Sequence, residues 1–243
     1  MYPDIVTIRT LEKETLQQII RISEFGRLGE LQAAASAGLA GINDQRGGVN
    51  VHLGFALDIR LRGDRQGKAV SRRIDVGALV EVSPDKKTVS NASYSLLICR
   101  YANPQTSPIV RKVHFDYESF ALRNHEEAKP TAHLQICGKL SPHHISVGYT
   151  ATRLNGLYPA WEKPRFPLPP TSLALMLNWL LLEFQTDPAS QGILNSPEWR
   201  NMVARAERAV LTKYFSEASK FLLSSGDKQK RFLQTYLYNM SVD

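Results

Sequence analysis

Residues 49–62 read VNVHLGFALDIRLR. Val49, Val51, Leu53, Phe55, Leu57, Ile59 and Leu61 take every second position, with Asn50, His52, Asp58, Arg60 and Arg62 among the residues between. A period of two puts those seven apolar side chains on one face of an extended strand. A helix would repeat its apolar stripe about every 3.6 residues, so the segment reads as a long β-strand.

The alternation continues downstream. Gly63 to Gly67 reads as a turn, and Ile74, Val76, Ala78, Val80 and Val82 mark a second strand. Ser83-Pro84-Asp85-Lys86-Lys87 turns the chain into a third strand, about residues 88–101, and prolines 104 and 108 bound the next loop. Two further strands carry VHFDY at 113–117 and HLQI at 133–136, the last ending near Gly138. Short polar turns between strands predict an antiparallel meander of about five strands.

Helical periods flank this region. Leu11, Leu16, Ile19, Ile20 and Ile22 predict a helix over 11–25 with Thr10 as cap, and an Ala-rich helix follows over about 28–39. The glycines from Gly38 to Gly48 then break it. Gly47-Gly48 is not a phosphate loop, because no GxxxxGK[ST] pattern is present and a strand comes next. Prolines 142, 159, 164, 167, 169 and 170 forbid a continuous helix or central strand and predict a surface wrap. Thr171-Ser172 caps an apolar helix from Leu173 to about Gln185, Ser196-Pro197-Glu198 starts another reaching about Leu223, and Gly226-Asp227 precedes a last one over 228–238. The chain is expected to be a single α+β domain over 1–243. It is helical over 1–48, an antiparallel sheet over 49–141, Pro-rich over 142–170 and helical over 171–243, with the helices covering the apolar face of the sheet.

At 243 residues, 43% apolar and 22% charged, the chain has the composition of a folded globular protein. Its two cysteines, Cys99 and Cys137, make no disulfide framework or CxxC pair, and Leu173 to Phe184 is too short to span a bilayer. With a start lacking a basic flank and long apolar run, this reads as a cytoplasmic protein without a membrane partner. The net charge of +7 is uneven. Residues 1–48 carry 5 Lys and Arg against 6 Asp and Glu, residues 49–141 carry 14 against 9, and residues 142–243 carry 11 against 8. A cationic excess of this kind favours polyanions, nucleic acid first, or an acidic partner subunit. Its densest part is Arg60, Arg62, Arg65, Lys68, Arg72 and Arg73, six cations against Asp64 alone around the first hairpin. These are the candidate nucleic-acid-binding residues; a solvated hairpin end that discourages edge pairing is the structural alternative.

Chemistry converges elsewhere. In VHFDY, His114 and Asp116 alternate with Val113, Phe115 and Tyr117; in HLQI, His133 and Gln135 oppose Leu134 and Ile136. If the two strands are neighbours, His114, Asp116, His133 and Gln135 share one face, within reach of each other. Imidazoles beside a carboxylate suit general acid–base work or a divalent metal, and equally an ordinary polar pairing. His125-Glu126-Glu127 is not an HExxH motif, because Lys129 stands where the second histidine belongs. Cys137 continues the His133–Gln135 face, and His143-His144 lie in a Pro-flanked loop.

The segments HFDY at 114–117, KPTAHLQ at 129–135 and KPRFPLPPTSL at 163–173 together resemble a pattern in uncharacterised bacterial proteins of mobile-element, toxin–antitoxin or phage-defence loci. The resemblance spans about residues 109–185 and implies an accessory or effector protein; it carries over no catalytic residue. Two functions are expected: a nucleic-acid- or partner-binding accessory protein, or a metal-dependent or histidine-based phosphodiesterase using the His114, Asp116 and His133 patch.

Overall fold

The computed structural model describes residues 3–44, 47–59, 70–84, 88–99, 109–118, 132–136, 166–184 and 187–223. Arg60, Arg62, Arg65, Lys68, Cys137, His143 and His144 lie outside them, as do the helix expected over 228–238 and the Pro-rich segment up to residue 165.

Strands β1 (Val49–Ile59), β2 (Val70–Val82), β3 (Val89–Cys99), β4 (Ile109–Glu118) and β5 (Ala132–Ile136) form the expected meander. Each pairs antiparallel with the next in chain order. A two-residue β6, Phe166–Pro167, adds itself beside His133 and Leu134, a pairing that proline density in this segment concealed. The β1–β2 ladder runs without a break from Val49 opposite Val80 to Ile59 opposite Val70.

The helices lie on the apolar face. They are α1 (Ile5–Arg21), a 3-10 turn (Ser23–Arg27), α2 (Leu31–Asp44), α3 (Leu173–Glu183), α4 (Pro188–Asn195) and α5 (Pro197–Leu222). Their Ile8, Leu16, Ile19, Leu31, Leu177, Leu180, Met202 and Val210 join Val51, Leu53, Phe55, Val76, Tyr94 and Leu96 of the sheet in one buried cluster. The histidine face is the other one. Among the described residues, no helix is long and apolar enough to cross a membrane.

Local chemistry moves several boundaries from their expected places. Helix α1 starts six residues before residue 11, because Asp4, not Thr10, is its cap: Asp4 Oδ1 accepts from the Thr7 N–H at 2.9 Å. Its C-terminal end is closed by Gln32, whose side-chain amide donates to the carbonyls of Ile19, Ile20 and Ile22 at 3.1–3.2 Å. Helix α2 continues through Gly38 and Gly41 to Asp44 rather than breaking at Gly38. A β-carbon at 38 would sit 3.1 Å from Val51 Cγ1, so the glycine lets the helix lie close on β1. Asn178, which interrupts the apolar run of α3, accepts from the Trp199 indole N–H at 3.1 Å. Trp199 is fully buried and packs edge-to-face on Phe25, 5.1 Å between centroids.

Helix α4 went unread in the sequence although Asp187-Pro188 is the same cap-and-proline start as Ser196-Pro197. Asp187 Oδ1 accepts from the Ala189 and Ser190 N–H groups at 2.7 and 3.1 Å, and Oδ2 from the Asp58 N–H of edge strand β1 at 3.2 Å. One buried carboxylate thus serves a helix end and a sheet edge. Asp187→Ala is expected to lower stability by about 2 kcal/mol in denaturant unfolding, with loss of protection at the Asp58 amide. Asp187→Asn, which keeps one acceptor oxygen, should restore the helix cap but not the protection at the Asp58 amide.

Candidate functional site

The register places His114 opposite Gln135 and Asp116 opposite His133. The four candidate residues therefore do share a face. His114 Nε2 lies 2.6 Å from Gln135 Oε1 and 3.1 Å from Asp116 Oδ2, and His133 Nε2 lies 3.7 Å from the same Asp116 oxygen. Gln135 Oε1 and the carboxylate are both acceptors, so His114 carries hydrogen on Nε2 and, when neutral, keeps its lone pair on Nδ1.

Ser93 of β3, opposite Asp116 in the register, completes the carboxylate's surroundings. Burial alone would push the Asp116 carboxyl up. The hydrogen bond and charge of His114, the hydrogen bond of Ser93 and the charge of His133 outweigh it and hold the group down at about 2. Asp116 is therefore ionised throughout the neutral range, fixing the His114 ring as an orienting carboxylate would.

The polar face extends across the sheet. Ser95 of β3 lies opposite His114, and Lys112 precedes it by two residues on β4; both are buried. On β1 and β2, His52 Nε2 lies 3.1 Å from Asp75 Oδ1, and Arg73 Nε reaches the same oxygen at 3.3 Å. Gly54, opposite Asp75, leaves the space this needs, for a β-carbon there would collide with the Arg73 guanidinium. Sequence reading singled out neither the His52–Asp75 pair nor Ser93, Ser95 and Lys112 as partners. The signal was their even spacing opposite the apolar positions of each strand.

Access is narrow. His114, His133 and Gln135 are 7%, 4% and 6% exposed. A cleft of about 10 Å³, room for about one water molecule, is bounded by Tyr94, Phe115, Tyr117, Pro169, Pro170 and Thr171 and touches Asp116 and His133. Phe115 and Tyr117 alternate with Asp116 along β4, so the cleft opens on the aromatic side of that strand and the carboxylate faces away. Among the described residues, no group of three His, Cys, Asp or Glu is arranged to hold a metal ion. Both imidazole Nε2 atoms turn to one carboxylate oxygen instead of pointing with it at a common centre.

Of the basic candidates, Arg72 and Arg73 are described, and alternation sends them to opposite faces. Arg72 lies opposite Leu57 and is 5% exposed; Arg73 pairs with Asp75 and, at 3.3 Å, with the exposed Glu30. They do not form a joint basic surface.

No family model, curated protein or solved structure matches this chain.

The Asp116 network sets a stability slope in acid. A carboxyl held at about 2 when folded and near 3.8 when unfolded contributes stability above pH 3.8, which is lost as the pH falls through 2. The contribution is about 2 kcal/mol. Asp116→Asn should be less stable than wild type at pH 7 by about that amount, and the difference should shrink towards pH 2 in denaturant titrations.

Proposed function

We propose that this chain is a nucleic-acid-binding accessory protein that grips phosphates through the basic segment joining β1 to β2. The observation that carries the reading is the end of the first ladder: Ile59 and Val70 are register partners. The ten residues between them, with Arg60, Arg62, Arg65 and Lys68 against Asp64, therefore leave and re-enter the sheet at one point. Four cations within nine residues of sequence suit a phosphate backbone, whose counterions they would release on binding. The excess charge of residues 49–141 supports the same reading, and the sequence resemblance supports a bacterial accessory role in a mobile-element or defence-type system.

A fluorescence titration of duplex and single-stranded oligonucleotides against salt tests this. Wild type is expected to lose affinity steeply with salt, and replacing Arg60, Arg62, Arg65 and Lys68 by glutamine should flatten the log–log slope by about 3 to 4. Salt-independent binding, or no binding, would overturn the proposal; a salt-insensitive protein complex would point to a partner subunit.

One observation favours a second reading, histidine-based phosphodiester cleavage: the 3.1 Å contact of His114 with ionised Asp116, which orients an imidazole with Nδ1 as its basic nitrogen. Here His114 would be the base, His133 the second proton carrier, Asp116 the orienting carboxylate and Gln135 the group fixing the ring. Incubation of RNA and DNA with wild type, His114→Ala and His133→Ala, with and without divalent cations, decides it. Cleavage lowered at least about 100-fold by either substitution supports the reading; equal rates, or no cleavage by wild type, remove it.

A further inference from the structure

Glu12 lies in the middle of α1 on the stripe formed by Ile5, Ile8, Leu16 and Ile19, and it is fully buried. Its Oε1 accepts the Tyr94 hydroxyl of β3 at 2.7 Å and the Leu173 N–H at 3.2 Å; Oε2 lies 3.3 Å from the same N–H. Leu173 is the first residue of α3, and its N-cap Ser172 is also fully buried. One carboxyl therefore joins the first helix, the central strand and the start of a C-terminal helix, 161 residues away in sequence.

Its partners matter for what it can do. Tyr94 from β3 is the titratable side chain bonded to it, and the Leu173 N–H is the donor from α3. On α1 itself, Thr15 spends its hydroxyl hydrogen on the Leu11 carbonyl at 2.8 Å, and Glu14 turns to Arg205 of α5 at 3.3 Å. Asp116 and His133 belong to the far face of the sheet. Among the described residues, Glu12 thus has hydrogen-bond donors and no counter-charge. Desolvation raises its carboxyl to about 7, against the smaller opposing effects of the Tyr94 and Leu173 bonds.

The same residues frame the aromatic cleft. Tyr94 lines it, and Pro169, Pro170 and Thr171, immediately before Ser172, form another wall. We propose that Glu12 is a proton-controlled clasp: protonated, it holds α3 and the Pro169–Thr171 wall against α1 and β3, and on ionisation it releases them, opening the cleft over Tyr94, Phe115 and Tyr117. An ionised carboxylate without a counter-charge favours states in which water reaches it, and the start of α3 is the end of the clasp nearest the cleft.

The sign follows from the direction of the shift. A carboxyl raised when folded contributes closed-state stability that is fully present below its unfolded value near 4.5 and is lost as the pH rises through 7. Hydrogen exchange of the Leu173 amide in the full chain, corrected for the intrinsic pH dependence of exchange, reads this directly. Protection in wild type is expected to fall by up to about tenfold per pH unit between 4.5 and 7 and to level off above 7. Glu12→Gln should make protection independent of pH, and Tyr94→Phe, which removes a bond favouring the ionised form, should move the midpoint upward. Protection that stays flat or rises with pH in wild type overturns the clasp, as does wild-type pH dependence retained in Glu12→Gln. Should Glu12→Gln fail to fold, Tyr94→Phe decides: a midpoint unmoved or lowered overturns the proposal.

Discussion

The antiparallel ladder is the constraint on which the rest of the molecule hangs. From β1 to β5 every strand pairs with its sequence neighbour, and irregularities occur only near the ends, at Glu81/Val82 and Ile98/Cys99. Side chains alternate between faces, so the pairing of one residue decides the side of all the others. A slip of one residue in β4 would turn Asp116 toward the helix-covered core and Phe115 toward the Ser95 side. Neither face tolerates that exchange: one is packed with branched and aromatic carbon, and the other holds charges that need partners. The buried polar layer thus specifies register as firmly as the apolar core does, although it adds less to net stability.

Two buried carboxyls show how this sheet separates chemistry by face. Asp116 and Glu12 both suffer desolvation, which alone would raise each. Asp116 meets two imidazoles and a hydroxyl and ends at about 2; Glu12 meets a phenol and one amide and ends at about 7. The difference is the presence of rings able to carry charge. Neutral donors stabilise a carboxylate, but in a low-dielectric surround they do not replace a cation. The polar face therefore keeps its carboxylate ionised, and the helix-covered face keeps its own close to protonation.

How much of this the sequence revealed depended on the length of the periodic signal. The β1 alternation, seven apolar residues at even spacing, was legible without ambiguity, and the same reading put His114, Asp116, His133 and Gln135 on one face. The partner of each could be guessed only because β4 and β5 are neighbours in a meander. Glu12 was missed for a definite reason: a helix begun at residue 11 leaves out Ile5 and Ile8, and without them Glu12 does not appear as a charge on an apolar stripe. The cap that would have corrected this, Asp4 three residues before Thr7, was overlooked in favour of Thr10. Gly38 misled in the opposite direction, since a helix-breaking residue by propensity is here a close-packing residue by contact with Val51. The Glu12–Leu173 bond could not be read from either end, because it joins residues that only the completed fold brings together.

The polar layer braces the two strands that the basic segment 60–69 connects in sequence. The ends of that segment, Ile59 and Val70, are held together by the β1–β2 ladder. On the polar face of that ladder His52, Asp75 and Arg73 cross-brace the two strands, with Gly54 leaving room for the guanidinium. Two strands further on, Asp116 and its histidines brace β4 against β5 in the same manner. Under the proposed phosphate binding, a contact residue would remove counterion release when lost, whereas a residue that only braces these strands would leave the salt slope intact.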